Sequence, residues 1–151
     1  MTRFLSLIAT LGPVGALPAP GTAGSLVALL AGWAILSQAG WLWMLLAAVL
    51  ATFLGWWAAE SYAAETGKSD PSEVIIDEVA GQFSVLLVLP ELSFFWLLAG
   101  FVLFRLFDIV KIWPVSAAEK LPGGLGIMAD DIVAAGLAGL CLLGLQAGLA
   151  A

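Results

Sequence analysis

Long uncharged apolar stretches, separated by two short polar windows, set the plan of the 151-residue chain. No residue is charged between Phe4 and Ala59, only Glu91 is charged between Val79 and Phe104, and none is charged from Ile132 onward. Fourteen of the sixteen charges fall within residues 60–78 and 105–131. A bilayer sorts side chains in this way, because its hydrocarbon excludes charge and its aqueous loops collect it. Residues 41–59 make a stretch close to the ~20 needed to cross, with Trp41 and Trp43 near one end and Trp56 and Trp57 near the other. Residues 25–37 are apolar but shorter, and only Gln38, Ala39 and Gly40 part them from the next span, which predicts the first arm of a tight helical hairpin. The apolar run over 74–110 is too long for one helix and is interrupted at Pro90-Glu91, so two helices are predicted, near 72–89 and 92–111. A last span covers 132–149, where Gly136, Gly139, Gly144 and Gly148 permit close helix contact.

The fold class that follows is all-α: one polytopic membrane bundle of about four to five hydrophobic helices, filling residues 1–151 as a single domain. Threading the spans alternately puts Arg3, Lys68, Arg105, Lys111 and Lys120 on one side, which the positive-inside tendency makes cytoplasmic. Arg3 also suits the basic region of a signal peptide, but Gly12, Pro13 and Gly15 break the apolar stretch behind it, so the segment is expected to be retained.

Composition turns this pattern into an exclusion. Hydrophobic residues are 62% of the chain and charged ones 11%, against about 25% in soluble domains. Mean hydropathy is +1.08, so the apolar excess faces lipid rather than water. A net charge of −6 without a basic run argues against nucleic acid. The lone Cys141 excludes a disulfide framework and reads as a buried, inert packing thiol.

The polar windows carry the candidate chemistry. Asp70-Pro71-Ser72-Glu73 has the form of a helix start with Asp70 as its cap. Asp77 and Glu78 follow among Val74, Ile75, Ile76 and Val79, where two carboxylates are costly without a cation. Arg105, Asp108 and Lys111 recur every three residues on one helical face, which also fits a surface charge ladder. Gly123-Gly124-Leu125-Gly126 is expected to be a flexible turn leading to Asp130-Asp131 at the mouth of the last helix, where the pair also fits favourable anions at a helix N-terminus. Neighbouring side chains on a helix diverge by about 100°, so one member of each acidic pair faces a site readily and the other only with adjustment.

Histidine is absent, which removes histidine-based nucleophile pairs and His-ligated zinc. No D-x-D run marks an aspartyl-phosphate route. The remaining carboxylates are hard ligands suited to Mg²⁺, Arg105 and Lys111 suit phosphate oxygens, and the small, hydroxylated start Gly21 to Ser25 can receive an anion on its amides. Together they point to metal-assisted phosphate chemistry at one membrane face.

Four stretches, residues 20–25, 70–82, 104–114 and 123–131, resemble the signature blocks of the phosphatidylglycerophosphatase A family, in that family's order. The resemblance implies a small helical inner-membrane hydrolase of phospholipid biosynthesis. It would remove the terminal phosphate of phosphatidylglycerophosphate with Mg²⁺, at a site facing the cytoplasm. Carried over position by position, it places Asp77, Glu78, Asp108, Asp130 and Asp131 as catalytic metal ligands, and Thr22, Ser25, Arg105 and Lys111 as substrate-binding groups. A metal-activated water is the expected nucleophile, with a phosphorylated Asp77 or Asp108 as the alternative. The family's usual Lys-Pro-Trp-Pro is Lys111-Ile112-Trp113-Pro114 here, which should alter the helix end and not the charges.

Other classes predict other patterns. A proton-relay or transport protein would spread carboxylates through the bilayer, whereas ten of the eleven crowd into the two windows. A structural subunit held by glycine-rich contacts would not need five such carboxylates. A phosphotransferase making these lipids would show a D-x-x-D-G-x-x-A-R run, which is missing. The expected partners are the lipid substrate and membrane lipids, with no obligate protein partner.

Overall fold

A computed structural model describes residues 3–150, and all regular structure among them is helical. In chain order the helices are α1 (Arg3–Thr10), α2 (Pro20–Gln38), α3 (Trp41–Thr66), α4 (Ile76–Leu86), α5 (Phe94–Val110), α6 (Val115–Ala118) and α7 (Gly123–Leu149), with a 3-10 turn at Gly12–Ala16. Helices α2, α3 and α7 are long and apolar enough to cross a membrane. At about 1.5 Å per residue, α4 with its 11 residues reaches only half of a ~30 Å hydrocarbon layer.

The bundle is sorted by side-chain size. On α3, Met44, Ala48, Ala51, Gly55, Ala58, Ala59 and Ala63 are buried, while Trp43, Leu50, Phe53 and Trp57 on the same helix are exposed. Small residues let helix backbones approach, and the large apolar ones meet lipid. With 26 residues α3 is longer than the ~20 needed to cross a membrane, and Glu60 and Glu65 lie in its last turns. It stops at Gly67, which takes a left-handed conformation (φ 69°) that glycine adopts freely.

Four expectations are corrected. Asp70 caps no helix: α4 begins at Ile76, and residues 70–75 form a turn in which Pro71 is fully buried. Backbone bonds from Val74 to the Pro71 carbonyl (2.9 Å) and from Ile75 to the Ala9 carbonyl (2.9 Å) hold that turn against α1. Gly123 to Gly126 is not a flexible turn but the first turn of α7. Only Gly139 of the four later glycines meets a neighbour, Val88, whereas Gly136, Gly144 and Gly148 face open space. Cys141 is exposed on the outside of α7 rather than buried.

The helices return the two polar windows to one end of the bundle. That end gathers the start of α2, the end of α3, the start of α4, the end of α5 and the first turns of α7. At the other end the Trp41 indole N–H donates to the Leu87 carbonyl (3.1 Å), fixing α3 to the end of α4.

Candidate functional site

Glu78, Asp108 and Asp131, from α4, α5 and α7, present carboxylate oxygens that all lie within 4.8 Å of one another. All three are buried. Helix phase selects them. Asp77 and Glu78 are adjacent on α4, and Glu78 turns inward while Asp77 accepts the Glu78 backbone N–H (2.9 Å). Asp131 likewise turns inward, and Asp130 turns to Lys111 (2.8 Å). Asp130 and Asp131 lie beyond the first turn of α7, which removes the reading of them as terminal anions.

Arg105 binds this cluster to α2. Its guanidinium donates to Glu78 and pairs with Asp108 (2.8 Å). It also donates to the Ser25 hydroxyl (3.3 Å) and to Thr22 Oγ1 (3.5 Å). Ser25, fully buried, donates to Glu78 Oε2 (2.9 Å). Gly21 stands so close to Glu78 that a Cβ there would overlap the carboxylate. The start of α2 is therefore packed directly against the Glu78 carboxylate, an anion that a helix N-terminus favours.

Lys111 ends α5 in a left-handed conformation (φ 47°, ψ 46°) that a non-glycine residue adopts at a cost of about 1 kcal/mol or more. The turn swings its ammonium onto Asp130 (2.8 Å) and Glu119 (2.6 Å). Burial alone would pull Lys111 below its ordinary pKa, but hydrogen bonds to Asp130 and Glu119 outweigh it and hold the group above that range. Ile112, where the family has proline, follows this turn and leaves the charged groups in place.

Two features were not assigned from the sequence. Gln82, one turn beyond Glu78, is fully buried, and neither atom of its amide has a hydrogen-bond partner among the described residues. An amide at i+4 from a carboxylate in an apolar helix was the available signal. Glu60 of α3 accepts the backbone N–H of Gly124, so it caps α7 from a neighbouring helix.

The donor set fits a divalent cation. Three carboxylates face one guanidinium in a buried space, which leaves negative charge in excess. Asp131 Oδ2 is buried and has no hydrogen-bond partner among the described residues. Hard oxygens from three helices, one of them unengaged, match Mg²⁺ better than a soft metal.

Residues 7–146 match the family model described as phosphatidylglycerophosphatase A. The chain is 41% identical over 130 residues to phosphatidylglycerophosphatase A of Haemophilus influenzae, covering 85% of this chain and 80% of that one. It is 36% identical over 116 residues to the Escherichia coli protein of that name, covering 76% and 67%. It is also 42% identical over 122 residues, 77% and 76% of the two chains, to a Bacteroides thetaiotaomicron protein provisionally named a phosphatidylinositol-3-phosphatase. No solved structure matches it.

Proposed function

The chain belongs to the phosphatidylglycerophosphatase A family, and from that premise we propose that it hydrolyses the terminal phosphate of phosphatidylglycerophosphate, with Mg²⁺, at the cytoplasmic face of an inner membrane. The convergence of Glu78, Asp108 and Asp131, with Asp131 Oδ2 unengaged, carries this reading. These three residues would hold the ion, and Asp77 and Asp130 flank them. When bound, the ion offsets phosphoryl charge and lowers the pKa of a water beside the phosphorus.

The remaining roles belong to the protein's own groups. Arg105, already reaching Thr22, turns its fork toward the start of α2, where two of its N–H groups meet phosphoryl oxygens. Thr22, Ser25 and the first amides of α2 complete that cradle. The Lys111 ammonium has three donors and gives two to Asp130 and Glu119, which leaves one for the phosphate. Asp130 is neutralised by Lys111, so Asp77 is the carboxylate left to take the proton from the attacking water. An aspartyl-phosphate on Asp108 is disfavoured by the hold of Arg105 on that carboxylate.

The test is phosphate release from phosphatidylglycerophosphate in detergent micelles, with Mg²⁺, then with chelator, then with Mg²⁺ restored. Activity that vanishes and returns supports the reading, and activity undiminished by chelator overturns the metal. The Bacteroides relative motivates a parallel assay on phosphatidylinositol 3-phosphate; faster release from that lipid would reassign the headgroup.

A further inference from the structure

An apolar groove of about 440 Å³ runs between α2 and α5, lined by Leu26, Leu29 and Trp33 on one side and Phe94, Leu98 and Phe101 on the other. Its register ties it to the site. On α2, Thr22 precedes Leu26, Leu29 and Trp33 at helical spacing, and on α5, Arg105 follows Phe101, Leu98 and Phe94 at the same spacing. Thr22 and Arg105 meet across the two helices at 3.5 Å, so the groove ends on a hydroxyl and a guanidinium. Each wall, twelve residues from Thr22 to Trp33 or from Phe94 to Arg105, is about 16 Å long, roughly one leaflet of a ~30 Å hydrocarbon layer. Leu26, Trp33, Phe94 and Leu98 are exposed, so the groove opens sideways to lipid.

A second apolar groove, between α3 and α7, is lined by Thr52, Phe53, Trp56, Leu125 and Met128 among others. One turn beyond Trp56 stands Glu60, an anion that would repel a lipid phosphate. The α2–α5 groove thus ends at the cluster that would hold a cation and a phosphate together, whereas the α3–α7 groove ends at a carboxylate that caps α7.

We infer that the α2–α5 groove seats one acyl chain of the phosphate-bearing lipid substrate, with its anionic headgroup at Thr22 and Arg105. This rests on the reading of the protein as a lipid phosphatase, and it adds where the tail lies.

Two measurements on the full chain in micelles test it. Phosphatidylglycerophosphate with a diazirine midway along one acyl chain is photolysed on the protein, and a phosphatidylcholine with the same diazirine serves as the background. Labelling of residues 26–33 and 94–101 that exceeds the phosphatidylcholine signal about fivefold or more is expected. Equal labelling by both lipids, or labelling centred on α3 and α7, overturns the groove. In the second measurement, Leu98→Trp fills the groove, and the ratio of kcat/KM for dihexadecanoyl over dihexanoyl substrate should fall about fivefold. Leu140→Trp, on the outside of α7, should leave that ratio unchanged. A ratio unmoved by Leu98→Trp overturns the groove while phosphatase activity stands. Failure of the wild-type protein to release phosphate from either lipid overturns the underlying reading instead, and the labelling still decides the groove.

Discussion

Glu78 and Asp131 differ from Asp77 and Asp130 by a single step along a helix, and that step decides which carboxylates meet. Glu78 meets Arg105 of α5 and Ser25 of α2, and Asp131 faces the oxygens of Glu78 and Asp108, whereas Asp77 accepts the neighbouring Glu78 amide and Asp130 accepts from Lys111 at the end of α5. Glu78→Gln, Asp108→Asn and Asp131→Asn keep shape and remove charge from the shared space. Each should lower the rate of phosphate release about 100-fold or more, with the helical circular dichroism of the purified protein unchanged. Lys111 adds a second case. Lys111→Gly relaxes the left-handed turn but frees Asp130 and Glu119, so the variant should unfold at a similar temperature and still lose about tenfold or more in kcat. The sequence contained all of these residues but not their phase, because phase depends on where each helix starts.

At the scale of the element, the starts of α4 and α7 explain what local signals missed. A cap motif at Asp70 suggested a helix from residue 72, yet burial of Pro71 and the bond from Ile75 to Ala9 place the turn elsewhere. Tertiary contact outweighed a cap worth about 1 kcal/mol. Gly123-Gly124-Leu125-Gly126 read as loop because each glycine weakens a helix by about 1 kcal/mol. Packing reverses that preference: a Cβ on Gly124 would strike the α3 backbone at Trp56 and Glu60, and one on Gly126 the carbonyl of Leu121. Gly124→Ala should therefore destabilise by about 1–3 kcal/mol, seen as a lowered unfolding temperature in detergent. Glu60→Gln, which keeps an acceptor but loses the charge facing the α7 amides, should cost less, about 1 kcal/mol. The apolar spans themselves were legible, since α2, α3, α5 and α7 each overlap the predicted segments.

Across the whole molecule, Lys68, Arg105, Lys111 and Lys120 stand with the acidic cluster at one end, and Glu91 is left near the other. The bilayer pattern made this polarity readable from charge positions alone, whereas the meeting of α2 with α5 depends on three-dimensional packing that no spacing reports. Orientation can be checked in a Cys141→Ala background, which removes the single native thiol. Ser69→Cys should react with a membrane-impermeant maleimide only after inner-membrane vesicles are inverted, and Ser37→Cys only before. The opposite pattern would place the carboxylates outside the cell. The cleft between α2 and α5 has one further consequence. Because it is open along its flank, a lipid seated there would enter and leave without quitting the bilayer plane, and encounter would be two-dimensional. Turnover should then track the mole fraction of substrate in the surface: diluting it with inert detergent at constant total amount slows the enzyme, though its concentration per litre never changes.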